Sequence, residues 1–138
     1  MTPSVLIIED SLTQAQLIGR MFERAGFAPG LATNRPNALH ELARQTWSLL
    51  VIDVFMADEN SLDHIDDYRQ AAPNTPIAVM TAIRKGAPLA ASHSLNAARR
   101  AKVDFILPKP FRFEDIRQVC EDVIQRRDNP NPGQILYL

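Results

Sequence analysis

The chain of 138 residues has the length of one folded domain and leaves no room for two of ordinary size. Hydrophobic residues make up 46% and charged residues 22%, the mixture expected of a globular protein in water. The formal net charge of -1 argues against nucleic acid or an anionic membrane as the main partner, and no apolar run approaches the roughly 20 residues of a membrane span. The single cysteine, Cys120, excludes an internal disulfide framework and is typical of a reducing compartment, so we expect a cytoplasmic protein.

Short apolar runs alternate with helix-like segments along the whole chain. The runs are too short for helices and rich in β-branched residues, whereas the segments between them repeat apolar residues every three or four positions. The predicted strands are 5–8, 27–33, 49–52, 77–80 and 103–107. The predicted helices are 12–25, 36–43, 61–71, 89–101 and 113–127. This alternation predicts an α/β fold, an open parallel sheet of five strands with helices on both faces.

Several boundaries carry local signals. Ser11 is placed to cap the first helix, and Gly26 supplies its C-terminal stop. The strand at 27–33 is the weakest of the five, because Pro29 and Gly30 lie inside it. After residue 127 the chain becomes turn-forming, so we expect one domain over 4–127 and a tail over 128–138.

Four of the five predicted strands end in a charged or reactive side chain, namely Glu9 with Asp10, Asp53, Thr81 and Lys109. The carboxyl ends of the strands in a doubly wound sheet share one edge, so these side chains should converge. Three carboxylates at one edge repel one another, and a hard cation such as Mg²⁺ compensates them while keeping positions open for phosphate oxygens. A lysine and a hydroxyl beside them supply the charge compensation and the donor that a phosphoryl group needs.

Each of these residues also has an ordinary structural explanation. An aspartate after a strand commonly caps the next turn, and Glu9 with Asp10 suits the N-terminus of the following helix. Thr81 is an ordinary residue for a strand end, and Lys109 between two prolines is typical of a solvated loop. These explanations must hold at four strand ends together, and this requirement favours a shared site.

Four motifs, in order and at these spacings, resemble the receiver domain of two-component response regulators. The motifs are Ile8-Glu9-Asp10-Ser11, Val51-Ile52-Asp53 with Met56, Val79-Met80-Thr81-Ala82 and Leu107-Pro108-Lys109-Pro110-Phe111. The resemblance covers residues 4–127 and implies a flavodoxin-like (CheY-like) fold with strand order 2-1-3-4-5. It implies a phosphoacceptor in phosphorelay signalling, which assists its own phosphorylation and dephosphorylation without being an enzyme.

The resemblance also implies roles for the acidic residues. Asp53 is the phosphoacceptor, which attacks the phosphorus of a phosphohistidine on a sensor histidine kinase or phosphotransfer protein. Asp10 and Asp53 ligate Mg²⁺, and Glu9 acts on the ion directly or through water. The backbone carbonyl of Phe55, two residues after the acceptor, is a further ligand.

Other implied roles fall on the fourth and fifth strands. Thr81 donates its hydroxyl to the phosphoryl group and shifts toward it on activation, while Lys109 pairs with a phosphoryl oxygen. The Lys109-Pro110 peptide bond is expected to be cis. The family commonly carries an aromatic switch residue three positions before the lysine. That position is Ile106 here, and the aromatic Phe105 points to the opposite face of the strand.

Two regions depart from the usual pattern of the family. Proline commonly lies four residues after the acceptor and glycine eight residues after it, but this chain has Ala57 and Ser61 there. We therefore expect a more mobile loop and a displaced start of the third helix. The segment from Thr81 to Lys109 is longer than usual by about a turn and a half of helix, which reshapes the face used for partners or dimers.

Three classes of function remain open. The leading interpretation is a stand-alone receiver, since no output domain fits after residue 127, with an unknown downstream protein and a possible homodimer as partners. A phosphorylation-independent interaction module is the alternative, and Ile106, Ala57 and Ser61 favour it. A small α/β hydrolase working through an aspartyl intermediate would need a substrate pocket or a cap, for which a chain this short offers little material.

Overall fold

The structure is a computed structural model that describes residues 2–56, 59–82, 96–128 and 136–137. Strands and helices alternate in it as the sequence predicts. In chain order the elements are β1 Ser4–Ile8, α1 Leu12–Arg24, β2 Ala28–Ala32, α2 Arg35–Arg44, β3 Leu49–Asp53, β4 Phe55–Met56, β5 Glu59–Asn60, a 3₁₀ turn Ser61–His64, α3 Ile65–Ala71, β6 Ile77–Ala82, α4 at 96–101, β7 Phe105–Lys109, α5 Phe113–Asp128 and β8 Leu136–Tyr137. Residues 89–95 of the predicted fourth helix lie outside the described residues.

The main sheet has the order β2-β1-β3-β6-β7-β8, with every neighbouring pair parallel. Its first five strands confirm the predicted order 2-1-3-4-5, because β6 and β7 are the fourth and fifth strands of the prediction. The chain changes its direction of travel across the sheet between β1 and β3, which pair through Ile8 and Ile52. In a doubly wound sheet, a crevice opens outside the carboxyl ends at such a switch point.

Both faces of the sheet are buried, which explains why its strands read as continuous apolar runs. Leu6 and Leu50 lie in a cluster with residues of α2, α3 and α4. Ile7 and Val51 lie in a second cluster with residues of α1 and α5. Full burial of each such side chain contributes about 1.5–3 kcal/mol, and the two clusters hold the strand ends in fixed positions.

The local signals for the helix ends are confirmed. The Ser11 side chain caps α1 by accepting the Gln14 amide, and Gly26 follows the helix with a φ of 94°. Only glycine adopts that backbone conformation at low cost. The Asn34 side chain caps α2 by accepting the Asn37 amide at 2.8 Å.

The fifth strand lies two residues further along the chain than predicted. Asp104, inside the predicted strand, instead accepts the Ile77 amide through its side chain at 2.9 Å. Pro108 is part of the strand and pairs with Thr81, while the pairing with β8 covers Phe105 and Ile106. A proline is tolerated in a strand where no neighbour needs its missing N–H. Lys109 is therefore the last residue of β7 and not a loop residue.

The predicted tail begins within the folded elements. Asp128 is the last residue of α5, and Leu136 with Tyr137 adds a short sixth strand beside β7. Within the described part of the chain, no helix combines the length and the hydropathy needed to cross a membrane.

Trp47 lies directly over Gly30 in β2. A Cβ atom at residue 30 would lie 2.4 Å from Cη2 of the indole and 3.0 Å from Cζ3. The indole is buried, and its Nε1–H donates to the Glu41 carbonyl at 3.0 Å, so the ring is held in place. The glycine that weakened the prediction of this strand is thus explained by the close approach of a large side chain.

We expect Gly30→Ala to lower the free energy of unfolding by about 1–3 kcal/mol, because the Trp47 ring must move away from an overpacked contact. Gly19→Ala in α1 is the matched control. Its Cβ would meet Leu31 at an ordinary 3.5 Å, and alanine favours the helix by about 1 kcal/mol. Urea unfolding followed by tryptophan fluorescence measures both variants. Equal losses of stability in the two would contradict this explanation.

Candidate functional site

Side chains from the carboxyl ends of three strands meet at one edge of the sheet. Glu9 and Asp10 follow β1, Asp53 ends β3, and a carboxylate oxygen of each lies within 4.8 Å of the other two. The Lys109 Nζ at the end of β7 lies 3.2 Å from Glu9 Oε2 and 3.3 Å from Asp53 Oδ2. Residues 100 positions apart in the chain are therefore in direct contact.

Burial gives this acidic cluster its electrostatic character. Glu9 and Asp53 are only 3% and 8% exposed, whereas Asp10 is exposed. Among the described residues, the cluster combines three carboxylates with one ammonium group, that of Lys109. Oxygen ligands at this spacing, with an excess of negative charge, fit a hard divalent cation. The cluster can therefore hold a metal ion.

The Glu9 carboxyl is strongly perturbed. Burial, together with the neighbouring side chains of Asp53 and Asp10, raises the pKa of Glu9 to about 7. The Ser11 amide, which donates to Glu9 Oε1 at 3.2 Å, acts in the opposite direction. Removing water from a carboxylate and placing like charges beside it both disfavour the ionised form, so the fold shifts Glu9 toward its protonated form.

Thr81, one residue before the end of β6, is only 1% exposed. Its hydroxyl has no hydrogen-bond partner among the described residues. Thr81 follows Met80, which pairs in register with Asp53, and it pairs with Pro108, the neighbour of Lys109. Leaving a buried donor without an acceptor costs about 1–3 kcal/mol. An unused donor between the strands that carry Asp53 and Lys109 is consistent with an acceptor that arrives during function.

Comparison with known proteins agrees with this geometry. Residues 5–121 match the family described as response regulator receiver domain. The chain belongs to this family. One relative of the receiver is the DNA-binding transcriptional regulator NtrC of Rhizobium meliloti, 26% identical over 113 residues. The match covers 82% of the receiver chain but 22% of that relative.

Solved structures share the fold of the receiver. A two-component response regulator from Clostridium difficile aligns with a TM-score of 0.78 at 20% identity, covering 92% of this chain and 99% of that one. A response regulator protein from Burkholderia pseudomallei, described with a phosphorylated aspartic acid, a calcium ion and citrate, aligns with a TM-score of 0.70 at 22% identity. That alignment covers 94% of this chain and 75% of that one.

Two of the predicted site residues lie apart from the cluster of side chains. Phe55 begins β4, and its side chain is 57% exposed, so only its backbone is a candidate for the site. Ile106 is fully buried in the core cluster on the α2–α4 face. Phe105 lies in the other core cluster, with the Arg126 guanidinium 4.7 Å from its ring centre. The receiver therefore has no aromatic side chain from β7 on the face of Ile106.

Ser61 contacts the backbone of Asp53 and Val54 in a way that the sequence did not reveal. Its side chain is buried, its hydroxyl donates to the Asp53 carbonyl at 2.5 Å, and its amide donates to the Val54 carbonyl at 2.7 Å. The departure from the family glycine was visible in the sequence, but the contact depends on the folded loop. The third helix, predicted from residue 61, begins at Ile65, because a 3₁₀ turn occupies Ser61–His64. Its displacement relative to the family stays a prediction.

Charged side chains hold the segment at Glu59, shortly before Ser61. The Arg35 guanidinium, at the start of α2, donates to Glu59 at 3.3 Å and to Asp67 at 3.0 Å. His64 Nε2 lies 3.2 Å from Glu59. Residue 57 lies outside the described residues, so greater mobility of the loop stays a prediction, but contacts hold the described residues on both sides of it.

The raised pKa of Glu9 predicts a pH dependence of stability in metal-free buffer. Between about pH 4.5 and pH 7 the folded receiver keeps a proton on Glu9 that the unfolded chain has lost. The free energy of unfolding should therefore fall by up to about 3 kcal/mol as the pH rises through this interval.

Urea titrations with EDTA at a series of pH values measure this dependence. Glu9→Gln should lose that component and should be more stable than the wild type at pH values above the interval. Glu23→Gln removes an exposed carboxyl from α1 and should leave the dependence unchanged. If the free energy of unfolding changed with pH equally in the wild type and in Glu9→Gln, Glu9 would not be the origin of the pH dependence.

Proposed function

We propose that Asp53 accepts a phosphoryl group from a sensor histidine kinase or a phosphotransfer protein in two-component phosphorelay signalling. The observation that carries this proposal is the buried Asp53 carboxylate, in contact with Lys109 and within reach of Glu9 and Asp10. The Burkholderia pseudomallei relative of the same fold, described with a phosphorylated aspartic acid, supports it. The downstream partner is a protein, with a second copy of this chain as one possibility.

The cation we propose for the acidic cluster is Mg²⁺, held by Asp10, Asp53 and Glu9 with the backbone carbonyl of Phe55. When bound, it would supply positive charge that compensates these carboxylates and the oxygens of an incoming phosphoryl group. The donor set supports this choice, because carboxylate and carbonyl oxygens are the ligands that hard cations prefer.

The reaction transfers one phosphoryl group between two side chains. A carboxylate oxygen of Asp53 attacks the phosphorus, the new P–O bond forms as the P–N bond to the donor histidine breaks, and the released imidazole takes up a proton. The Lys109 ammonium, 3.3 Å from Asp53, neutralises charge on the phosphoryl oxygens. Positioning and charge compensation are the main contributions a protein makes to phosphoryl transfer.

The hydroxyl of Thr81 completes the proposed site. It gains an acceptor only when a phosphoryl group is attached to Asp53, so the modified state removes the cost of the unpaired donor. Thr81 and Lys109 lie on adjacent strands and both bind the phosphoryl group, which couples β6 to β7. Ile106 is fully buried in the core, so this coupling involves no aromatic rotation at that position. This coupling passes phosphorylation from the site to the surface.

A phosphorylation-independent interaction module is the second candidate. It is less favoured, because it gives no reason for burying two carboxylates around Lys109 or for the unpaired Thr81 hydroxyl. Receivers are signalling domains, and the only chemistry we propose for this one is the gain and loss of the phosphoryl group. The DNA-binding activity of the NtrC relative is not proposed, since the match spans 22% of that protein.

We expect incubation with acetyl phosphate and Mg²⁺ to add one phosphoryl group to the wild type, as measured by intact mass. Asp53→Asn should add none, because the amide is not a nucleophile, and excess EDTA should suppress the wild-type adduct. Asp66→Asn, which alters an exposed carboxylate on α3, should react like the wild type. A wild type that forms no adduct with Mg²⁺ present would instead favour the interaction module.

Thr81→Val should separate stability from function. Replacing the unpaired buried hydroxyl by a methyl group should raise the free energy of unfolding by about 1 kcal/mol or more. The rate of phosphorylation should fall by about tenfold to a hundredfold, because a donor to the transferred group is lost. Thr81→Ser keeps the hydroxyl and should keep most of the rate. If Thr81→Val were phosphorylated at the wild-type rate, Thr81 would have no role in the transfer.

A further inference from the structure

We infer that Ser61 is a positioning residue of this site, which fixes the backbone of the acceptor loop and thereby sets the affinity for the divalent cation. The inference rests on the proposed function, because it assigns a role at the same site. It concerns a residue that departs from the family glycine, so it is a property of this chain.

The observation is a pair of hydrogen bonds, which we call the Ser61 clasp. The Ser61 hydroxyl donates to the Asp53 carbonyl at 2.5 Å, and its amide donates to the Val54 carbonyl at 2.7 Å. On the other side, the Val54 amide donates to the Met80 carbonyl at 3.0 Å. The backbone that carries the acceptor is thus held between β6 and the clasp.

The clasp also closes the loop that contains the further metal ligand. Phe55 follows the two clasped carbonyls directly and pairs with Asn60, the residue before Ser61. Closing the loop in the free protein removes conformations that Phe55 would otherwise have to give up when its carbonyl binds a cation. A protein carbonyl that is already ordered binds a cation more tightly, so the clasp should raise the affinity of the site for the cation.

Only the side-chain half of the clasp depends on residue 61 being serine. Glycine or alanine retains the amide bond to Val54 but leaves the Asp53 carbonyl without this donor. Ser61 is only 1% exposed, so water does not readily replace the hydroxyl. Its position is therefore tied to the residue that we propose is phosphorylated.

The test compares Ser61→Ala with Thr75→Val. The Thr75 hydroxyl donates to the Trp47 carbonyl at 3.1 Å, before the amino ends of β3 and β6, so its loss removes a similar bond away from the acidic edge. By titration calorimetry, the Mg²⁺ dissociation constant of the unphosphorylated protein should rise about threefold to tenfold in Ser61→Ala and remain unchanged in Thr75→Val. In metal-free buffer, the Val54 amide should exchange hydrogen at least about threefold faster in Ser61→Ala only.

The kinetics give a second, independent measurement. With acetyl phosphate, Ser61→Ala should be slow at low Mg²⁺ and return to within about twofold of the wild-type rate at saturating Mg²⁺, because the chemistry itself is intact. Ser61→Gly removes the same hydroxyl without adding volume and should behave alike, which keeps the test available if the alanine variant folds poorly.

The outcomes distinguish this inference from the proposed function. If the wild type is phosphorylated but both Ser61 variants bind Mg²⁺ as tightly as it does, the positioning role is wrong. Equal weakening in Ser61→Ala and Thr75→Val would also overturn it, since the effect would then be a general loss of stability. Failure of the proposed function would appear in the wild type itself, as the absence of any adduct.

Discussion

The arrangement of this receiver depends on one electrostatic constraint, the placement of the Lys109 ammonium between two buried carboxylates. Glu9 and Asp53 lie at the ends of different strands, and a carboxylate oxygen of each lies 3.2 Å and 3.3 Å, respectively, from the Lys109 Nζ. Without the Lys109 ammonium, burial of two neighbouring carboxylates would cost several kcal/mol. Even with this ammonium group present, the pKa of Glu9 is raised to about 7. Lys109 can serve both acids because it ends β7, where the core fixes its position.

The site also has two unfavourable features, a buried hydroxyl and an excess of negative charge. Among the described residues, the buried Thr81 hydroxyl has no partner, which lowers the stability of the unmodified protein, and carboxylates outnumber the single ammonium group in the acidic cluster. Both features are unfavourable in the free protein, and the cation and phosphoryl group that we propose would make them favourable. This unfavourable free energy in the unmodified protein is a physical basis for a two-state response. A ligand shifts an equilibrium between two states only by the difference in its binding free energy to them.

The departures from the family pattern act in two different ways. Ser61 replaces a glycine, yet its hydroxyl and amide bind two consecutive carbonyls of the acceptor strand, so the exchange adds contacts at the site. Ile106 stands where an aromatic residue is common, and it is packed in the core with no exposed surface. The coupling that we propose therefore runs through the backbone around Asp53 and the pair Thr81–Lys109, and not through rotation of a ring at residue 106.

The sequence by itself predicted the alternation of strands and helices, the helix ends at Ser11 and Gly26, and the residues that share the acidic edge, because apolar periodicity and strand-end position depend on local spacing. The strand order followed from the resemblance to the receiver family. It placed β7 two residues early, since neither the bond from Ile77 to Asp104 nor the edge position that accommodates Pro108 is visible along the chain. Only the tertiary structure decided the Ser61 clasp, the contact of Trp47 with Gly30 and the raised pKa of Glu9. These depend on distances and burial between segments remote in the chain, which residue spacing does not encode.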